Sequence, residues 1–512
     1  MRPFSRRVAS RGLGLSARYT NRPGLVASQC FRAFSMTASR RSEDGSRKWS
    51  TPLAKQLAQA MEMTGPIPLA SYMRMCLTGD VGGYYTGALE QGRDQFGQKG
   101  DFVTSPEISQ IFGELIGIWF VAEWMSQGRP RTGIELIEVG PGRGTLMDDI
   151  LRTISNFKEM ANAIDAIYMV EASPELRVTQ KNLLCGQDRQ MTESKSGYHS
   201  TCRYADLPIV WTEAVRSIPQ GSDKVPFIVA HEFFDALPIH TFQLVTVPHS
   251  QAPTQSSSPS SPQASDSTKP TVQWREMVVS PTPPGSTHQS LGTPKSQSTD
   301  TPVPDFQLTL SPSSTRHSLY LPESSPRYRA MKSIPGALIE ICPDASLYAT
   351  DFATRIGGSA KHPKHKPSGA ALILDYGPGD GTVPVNSLRG ISRHRRVSPF
   401  AEPGLTDLSA DVDFAAVAET ALRASEGVEV HGPVEQAAFL EAMGIRERAE
   451  MLVKALRQKG EGEAKAHDVE KAWKRLVDRG PDGMGKTYKA LAILPENDGK
   501  RRPVGFGGDV RA

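Results

Sequence analysis

The sequence predicts an α/β fold, in which an open and mostly parallel sheet is covered by helices. Three observations lead to this prediction. Short apolar runs alternate along the chain with amphipathic stretches of helical periodicity. Most of these runs are apolar at nearly every position, as in strands that are buried on both faces. The 512 residues leave room for one large core with insertions, and no run approaches the ~20 apolar residues of a membrane span.

The first helices are predicted ahead of the sheet, at residues 52–78 and 106–127, and we expect them to form no sheet unit and to cap the cleft. The strands are predicted at 134–139, 166–171, 208–211, 225–230, 370–375 and 487–494. The remaining helices are predicted at 144–160, 174–184, 411–424, 433–443 and 464–478. In an open α/β sheet, ligands bind at the carboxyl ends of the strands.

Residues 250–317 interrupt this alternation. They are dominated by Ser, Pro, Thr and Gln, a composition that cannot bury enough apolar surface to offset its ordering entropy. Two pieces within them, 272–279 and 305–310, alternate apolar and polar residues. We therefore expect a low-complexity, mostly disordered insertion that contains a β-hairpin with long loops.

No metal site is predicted. His362 and His365 lie in a Lys-rich loop, 357–369, that is expected to be solvated, and no third ligand is near them in the sequence. The five cysteines include no CxxC pair. They fit neither a disulfide framework nor a zinc site, so reduced thiols are expected.

Residues 1–41 contain nine arginines and no acid, with Ser, Ala and interspersed Phe and Leu. This composition is typical of an amphipathic mitochondrial transit peptide, and the alternative is a disordered basic arm that binds nucleic acid. Removal of the segment takes nine positive charges from a formal net charge of +4 and leaves about −5. Such a mature chain gives no electrostatic reason to expect DNA or RNA as a partner.

The stretch "LIEVGPGRGTL" (136–146) ends the first strand in an acid, Glu138, and then turns sharply. The turn consists of Gly140, Pro141, Gly142, Arg143 and Gly144. A P-loop needs a Lys and a Ser or Thr after the last glycine, and a dinucleotide fingerprint needs G-x-G-x-x-G, so neither pattern is met. Glu138 would also repel a pyrophosphate, whereas a ligand that carries an ammonium and a sulfonium would be attracted.

The second strand also ends in an acid. Glu171, in "MVEAS", lies 27 residues after Gly144, where a carboxylate can accept both hydroxyls of a ribose. The order acid, glycine turn, helix, strand, acid predicts S-adenosylmethionine bound to a Rossmann-like class I methyltransferase sheet, here with an N-terminal helical cap and inserted segments. The alternative is that the glycines only form a tight turn and that Glu171 is an ordinary acid at a strand end.

The stretch "IVAHEFFDALP" (228–238) ends the fourth strand in His231, Glu232 and, three residues later, Asp235. Two such carboxylates can clamp a guanidinium and direct one of its nitrogens at a methyl donor. His231 can take up the proton as the product forms. Alternatively, the phenylalanines of this loop belong to the core, the acids cap a helix, and His231 is a buried imidazole with its hydrogen bonds satisfied.

The stretch "GQKGDFVTSPEISQIFGEL" (97–115) passes from a glycine-rich loop into a helix. Thr104 or Ser105 is expected to be the N-cap, with Pro106 at the first helical position. Capping does not exclude a second role for this segment in closing the cleft.

A set of motifs follows in an order that resembles a known family, the MidA family. These are "GPIPLASYM" (65–73), "GGYY" (82–85), "GDFVTSPEISQIFGEL" (100–115), "EVGPGRGTL" (138–146), "AHEFFDALP" (230–238), "LILDYG" (372–377), "DLSADVDF" (407–414), "GPVEQAAFLEAMGI" (432–445) and "GPDGMGKTYKAL" (480–491). The resemblance covers most of residues 60–495. It implies an S-adenosylmethionine-dependent enzyme of the mitochondrial matrix that forms symmetric dimethylarginine on a core subunit of the peripheral arm of respiratory complex I, as that complex assembles.

The resemblance also implies residue roles. Gly140, Gly142 and Gly144 belong to the cofactor turn, Glu171 to the ribose contact, and "HEFFDALP" to the loop on the substrate side. Two other functions stay open, a non-catalytic assembly chaperone that keeps the fold and a methyltransferase for a small molecule. The sequence leaves the oligomeric state undetermined.

The domain organisation follows from these assignments. In chain order we predict a transit peptide at 1–41, a helical cap at 50–128, the first part of the methyltransferase core at 129–249, the insertion at 250–317, the second part of the core with substrate-side helices at 318–495, and a disordered tail at 496–512.

Overall fold

A computed structural model describes residues 47–87, 100–247, 271–292, 301–459 and 462–507. The predicted transit peptide therefore lies outside the described residues, as does part of the Ser/Pro-rich insertion. Within the described ranges, no helix is both long enough and apolar enough to cross a membrane.

The helices and strands are numbered in chain order. The helices are α1 (Pro52–Thr64), α2 (Leu69–Thr78), α3 (Ser105–Ile108), α4 (Gln110–Ser126), α5 (Thr145–Ile154), α6 (Lys158–Ala161), α7 (Pro174–Cys185), α8 (Arg316–Tyr320), α9 (Pro326–Ala330), α10 (Pro343–Gly357), α11 (Phe414–Ala424), α12 (Gln436–Ala442), α13 (Ile445–Gln458) and α14 (Glu463–Val477). The strands are β1 (Ile67–Pro68), β2 (Ile134–Val139), β3 (Ile164–Val170), β4 (Thr192–Ser194), β5 (Gly197–Thr201), β6 (Pro208–Thr212), β7 (Val225–His231), β8 (His240–Val247), β9 (Thr271–Pro281), β10 (Phe306–Leu310), β11 (Leu338–Ile341), β12 (Ala370–Tyr376), β13 (Arg389–Ser392), β14 (Arg395–Val397), β15 (Asp407–Ser409), β16 (Val428–Glu435) and β17 (Tyr488–Pro495).

A nine-stranded sheet forms the centre of the fold, in the order β16-β17-β12-β7-β2-β3-β6-β5-β4. The five strands from β12 to β6 are parallel, and antiparallel strands extend both edges. All six predicted strands are in this sheet, which confirms the α/β fold class. The chain order reverses between β2 and β7, so this sheet has its topological switch point there, where ligands of such folds bind.

Both faces of the central sheet are buried. In β2, Leu136 packs on the side of α4 and α5, whereas Ile137 packs on the side of α10 and α11. Successive side chains of a strand point to opposite faces, so a strand covered on both sides must be apolar at every position. This explains why "IELIEV" shows no clear alternation of polarity.

Residues 106–127 contribute no strand to a sheet, as expected, but helix α4 does not cap the cleft. It packs closely along α5 and covers one face of the central sheet. A Cβ atom added to Gly113 would overlap the Cβ of Asp149, and one added to Gly117 would lie 3.0 Å from the Cβ of Thr153. Helix α4 is buried on most of its circumference because it is apolar almost all round.

A second sheet has the order β1-β9-β8-β11. Strand β10 also belongs to it and pairs with residues 277–281 of β9. The antiparallel pair β9–β10 confirms the hairpin predicted within the insertion. The expectation that residues 52–78 form no sheet unit is wrong in one respect, because Ile67 and Pro68 pair with Val279 and Val278 of β9. A small third sheet contains β14, β13 and β15.

Two further boundaries differ from prediction. Residues 433–435 belong to β16, so the predicted helix at 433–443 begins only at Gln436. In contrast to the expected disordered tail at 496–512, the part up to residue 507 packs on the core. Phe506 lies against Trp119 and Phe439, and the Trp119 indole donates to the carbonyl of Val504 at 3.1 Å.

Candidate active site

A cavity of about 360 Å³ lies at the carboxyl ends of β2, β3 and β7. Its volume is within the range of sites that hold small molecules. Residues from the glycine turn, from the loop after β7 and from α2 and α3 form its walls. The charged residues in its lining are Arg74, Glu107, Glu138, Arg143, Glu171, Glu213, Glu232 and Asp344. Acids outnumber bases, so the cavity favours a cationic ligand.

The glycine turn connects β2 to α5. Gly140, Gly142 and Gly144 have φ angles of +69°, +51° and +85°, in the left-handed region that favours glycine. A Cβ atom on Gly140 would lie 2.6 Å from the ring of Phe233, and one on Gly144 would lie 3.2 Å from Gln180. Gly140, Pro141 and Gly142 line the cavity, whereas Gly144 packs against α7. The turn thus brings backbone atoms to the cavity wall.

Glu138 lies at the floor of this turn and is 2% exposed. Its Oε2 atom has no hydrogen-bond partner among the described residues. Burial raises the pKa of this carboxyl well above its usual range, although a backbone hydrogen bond from Met147 opposes the shift. A cation placed beside Glu138 would stabilise its charged form, so the side chain is suited to the positive groups of S-adenosylmethionine.

Glu171 follows β3 and faces the same cavity. Its Oε1 atom accepts from the Ser173 amide at 2.8 Å, and its Oε2 atom accepts from the Gln180 side chain at 3.1 Å. Burial raises the pKa of Glu171 to about 7. A carboxylate oxygen has capacity for more than one donor, so both atoms can still accept a ribose hydroxyl.

Gln180, on α7, contacts two of the predicted site elements and was not itself predicted from the sequence. Its amide nitrogen also donates to the carbonyl of Gly142 at 2.6 Å, and its oxygen accepts from the Trp211 indole at 2.9 Å. Gln180 therefore holds the glycine turn and Glu171 in one fixed arrangement. The available signal was spacing, since Gln180 lies four residues from both Leu176 and Leu184 on the apolar face of α7.

The loop after β7 brings His231 and Glu232 to the cavity wall. The Glu232 side chain is 11% exposed, and its φ angle of +49° is uncommon for a residue with a side chain. Burial, and then the charge of Asp235, raise the pKa of Glu232 well above its usual range, opposed by a hydrogen bond from the Ser105 amide. Its Oε1 atom has no hydrogen-bond partner in the described part of the chain.

His231 lies next to Glu232, with 3.3 Å between His231 Nε2 and Glu232 Oε1. Both atoms lack a hydrogen bond to any described residue, so this approach is a close contact without hydrogen-bond geometry. The ring packs on Phe112, with 5.0 Å between the two centroids. Burial lowers the pKa of His231 to about 3, so the imidazole is neutral at physiological pH.

Asp235 takes a different place from Glu232. The described lining of the cavity contains Glu232 but not Asp235. The hydroxyl of Tyr376 donates to Asp235 Oδ2 in a short contact, while Oδ1 has no partner among the residues that the structure describes. Asp235 therefore lies behind the loop, next to the end of β12.

Asp375, at the end of β12, is a second residue that the sequence analysis missed. Its Oδ2 atom accepts from the backbone amides of Phe233, Phe234 and Asp235 at 3.1, 2.9 and 3.3 Å. These bonds hold the loop that carries Glu232. The "LILDYG" motif contains Asp375, but its partner loop lies about 140 residues earlier in the chain, so spacing gives no indication of the contact.

Helices α2 and α3 close the cavity from the opposite side. Thr104 is the N-cap of α3, as expected, and Pro106 is the second helical residue rather than the first. Two ion pairs join this side to the rest of the site, one of 3.2 Å between Glu107 and Arg143 of the glycine turn and one of 2.9 Å between Arg74 and Asp344 of α10. The segment that precedes the sheet thus forms one wall of the site.

Comparison with known proteins gives three kinds of match. Residues 115–434 match the family described as putative S-adenosyl-L-methionine-dependent methyltransferase. A rat protein named "Protein arginine methyltransferase NDUFAF7, mitochondrial" is 34% identical over 449 residues, which is 87% of this chain and 85% of the relative. The human protein of that name is 33% identical over 87% of this chain and 84% of its own length. A Drosophila melanogaster homolog is 34% identical over 86% of this chain and 85% of its own length.

A solved structure has a similar fold. It is a likely methyltransferase of the COG1565 superfamily from Burkholderia thailandensis, bound to S-adenosyl-homocysteine. The TM-score is 0.59 at 21% identity, and the alignment covers 88% of this chain and 93% of the other. This likeness shows a shared fold.

Proposed function

The chain belongs to the MidA-type family of S-adenosyl-L-methionine-dependent methyltransferases, and we propose that it methylates arginine side chains of a protein substrate in the mitochondrion. S-adenosylmethionine is its cofactor. The observation that carries the proposal is the row of buried acids along one cavity, Glu138, Glu171 and Glu232, two of which have a carboxylate oxygen without a partner among the described residues. The names of the relatives support arginine as the acceptor.

Different residues would bind the cofactor and the acceptor nitrogen. Glu138 and the glycine turn would hold the cofactor near its charged groups, and Glu171 would hold its ribose. When bound, the cofactor supplies a methyl group on a positively charged sulfur, which is already activated for transfer. The protein therefore has to position the acceptor nitrogen and to exclude water, more than to activate the methyl group.

Glu232 is the residue that we assign to the guanidinium. Glu232 lines the cavity and has an unpartnered oxygen, and a guanidinium there would stabilise the carboxylate that burial otherwise disfavours. The proton that leaves the nitrogen would pass to the Glu232 carboxylate, whose pKa is raised, because His231, 3.3 Å away and with a pKa of about 3, is a weaker base. Asp235 would act through the loop, because its carboxylate is held by Tyr376 and does not reach the described lining.

The assignment of the product and of the protein substrate rests on the resemblance to the MidA family. We propose that the product is symmetric dimethylarginine, and that the substrate is a core subunit of the peripheral arm of respiratory complex I, modified in the matrix during assembly. Substrate-side contacts would come from the α2–α3 wall and from the loop after β7.

Transfer of label tests the proposal. The chain without residues 1–41 is incubated with S-adenosylmethionine labelled in the methyl group and with a mitochondrial matrix extract. Label in one polypeptide, released as symmetric dimethylarginine on hydrolysis, is the expected result. Label in the organic extract would instead indicate a small-molecule substrate. Cofactor binding without any transfer would indicate an assembly chaperone, and either outcome would overturn the proposal.

A further inference from the structure

A second cluster of polar side chains lies in the second sheet, outside the cavity. His240 is the first residue of β8, Glu276 is in the middle of β9, and His317 is the second residue of α8. One ligand atom from each of the three lies within 4.8 Å of the others. The residues are 36 and 41 positions apart, so no local motif in the sequence marks them.

The atoms of this cluster converge on one carboxylate oxygen. Glu276 Oε1 lies 2.7 Å from His240 Nδ1 and 3.4 Å from His317 Nδ1. The two imidazole rings are 4.3 Å apart between centroids. The other oxygen, Oε2, accepts a short hydrogen bond from the hydroxyl of Thr315, which fixes the rotation of the carboxylate. The acid is thus presented to both histidines at once.

The Glu276 carboxylate is buried, and the groups that contact it supply a positive charge only when an imidazole is protonated or a metal is bound. The Glu276 side chain is 0% exposed and that of His240 is 10% exposed. A carboxylate removed from water is strongly destabilised unless it is paired or coordinates a metal. Among the described residues, its side-chain contacts are Thr315 and the two imidazoles, none of which carries a permanent charge.

We propose that His240, Glu276 and His317 bind one divalent transition-metal ion, for which Zn²⁺ is the best fit. Zinc is bound by imidazole nitrogen and carboxylate oxygen at about 2.0–2.2 Å, which sets neighbouring ligand atoms about 3.3 Å apart in a tetrahedron. The distance of 3.4 Å from Glu276 to His317 already matches. The distance of 2.7 Å to His240 is that of a hydrogen bond, and it opens when the metal replaces the imidazole proton. Calcium and magnesium are excluded because they prefer oxygen ligands alone.

The fourth ligand is a water molecule. The His317 side chain is 46% exposed, so the cluster is open to solvent on that side. Within the described ranges, no further His, Cys, Asp or Glu joins the cluster. Three protein ligands and a water form an accepted zinc geometry.

The metal would join three separate parts of the chain. Strand β8 begins directly after the loop that carries Glu232, whereas β9 is the first strand of the inserted hairpin and α8 follows its second strand, β10. An ion that binds the folded chain and not the unfolded one stabilises it by mass action. The site therefore fixes the inserted hairpin to the strand that follows the substrate-side loop. The prediction of no metal from sequence considered only closely spaced ligands and missed this group.

Cobalt binding tests the proposal without any use of methyl transfer. The full chain, free of an affinity tag, is stripped with a chelator and titrated with Co²⁺ while the visible absorption is recorded, and Zn²⁺ is then added. We expect one Co²⁺ per chain, with absorption bands of a four-coordinate site, and displacement by one equivalent of Zn²⁺. We also expect Zn²⁺ to raise the midpoint of thermal unfolding.

Three variants complete the experiment. His317→Ala and Glu276→Gln should each weaken Co²⁺ binding at least tenfold and abolish the thermal shift with Zn²⁺. His362→Ala, which removes an exposed histidine elsewhere, should bind as the wild type does. Because His317 is half exposed, metal-free His317→Ala should unfold close to the metal-free wild type, so a loss of binding is separable from misfolding. Absence of visible bands in the wild type, or unchanged bands in His317→Ala, would show that the cluster is only hydrogen-bonded.

Discussion

Glu232 combines an unusual backbone conformation with a buried carboxylate oxygen that has no hydrogen-bond partner among the described residues. Its positive φ angle turns the side chain from the end of β7 toward the cavity, beside His231. Such strained positions persist only where surrounding contacts hold them, and they concentrate at functional sites. Two sets of contacts hold it here: the Glu232 amide donates to the Leu374 carbonyl at 2.9 Å, and the next three amides donate to Asp375 Oδ2.

Glu232→Gln should separate binding from transfer. The amide keeps the shape of the side chain but loses the charge that holds a guanidinium, so we expect the rate of methyl transfer to fall at least ~100-fold. Affinity for the cofactor, measured by calorimetry, should stay within about threefold. Glu159→Gln, the same change on an exposed surface, should leave both quantities unaltered. Transfer at the wild-type rate in Glu232→Gln would remove this residue from the site.

Gly140→Ala tests the close approach in the glycine turn. The new methyl group would lie 2.6 Å from the Phe233 ring, so the turn or the loop after β7 must move. We expect cofactor affinity to fall at least ~10-fold, together with a loss of roughly 1–3 kcal/mol of stability. Gly128→Ala is the matched control, because Gly128 has a φ of +87° but no described atom within 4 Å of its added Cβ. Equal effects in both variants would assign the loss to backbone strain alone.

The pKa of Glu171 predicts how cofactor binding depends on pH. Burial raises it from 4.5 to about 7 in the empty protein. Ribose hydroxyls that donate to this carboxylate favour its charged form, so affinity should rise as pH increases from 6 to about 7.5 and then level off. Glu171→Gln should flatten that rise, as calorimetry at several pH values would detect. An unchanged pH profile in the variant would exclude Glu171 as the titrating group.

The raised pKa of Glu171 acts in the opposite direction on the stability of the folded protein, which falls as pH rises. Because the folded protein holds a proton that the unfolded chain has lost, the contribution of Glu171 to stability falls as pH rises from about 4.5 to about 7, and it is constant above. In the absence of cofactor, wild-type stability should therefore decrease relative to Glu171→Gln across this window. Denaturant unfolding at pH 5 and pH 7.5 measures the difference.

At the scale of elements, packing decided several features that periodicity did not indicate. The strand β8, "HTFQLVTV", and the helix α10, "PDASLYATDFATRIG", were not predicted. The apolar face of α10 is built largely from alanines, which give a weak hydrophobic signal, and yet it covers the sheet through Ala345, Ala349 and Phe352. Helix α4 was predicted, but its role as a covering layer depends on contact with α5.

Gly113→Ala should destabilise the contact between α4 and α5. Alanine gains up to about 1 kcal/mol of helix propensity over glycine, whereas overpacking costs about 1–3 kcal/mol. At Gly113 the added Cβ overlaps Asp149, so we expect a net loss of about 1–2 kcal/mol in urea unfolding. At Gly117 the added Cβ is 3.0 Å from its neighbour, so the two effects should nearly cancel in Gly117→Ala. If Gly113→Ala were more stable than the wild type, α4 and α5 would be able to move apart without loss of stability.

At the scale of the whole molecule, the site depends on contacts between distant parts of the chain. Strand β12 follows the insertion and pairs with β7, which brings Asp375 beneath the loop at 233–235. Helices α2 and α3 come from the N-terminal side and form the opposite wall. The cavity therefore requires three segments that the insertion and the connecting loops keep far apart in sequence.

Asp375→Ala tests this long-range support. Three backbone amides of the loop would lose their acceptor, and a buried unsatisfied donor costs about 1–3 kcal/mol. We expect methyl transfer to fall more than cofactor affinity, because Glu232 loses its position while the glycine turn and Glu171 keep theirs. Glu193, an exposed acid on the short strand β4, gives a control, and Glu193→Ala should change neither quantity. Equal losses of binding and transfer would indicate general unfolding instead.

The sequence by itself determined the parallel core of the sheet, the cofactor and the two acids at its strand ends. These are local signals, since an apolar run, a glycine turn and an acid at a strand end are each set within about ten residues of chain. Only the tertiary structure decided that Glu232 faces the cavity while Asp235 lies behind it, that Gln180 and Asp375 hold the site, and that His240, Glu276 and His317 meet. Their partners are tens to more than a hundred residues away, and which side chains meet depends on strand order and on how layers pack, neither of which a local pattern encodes.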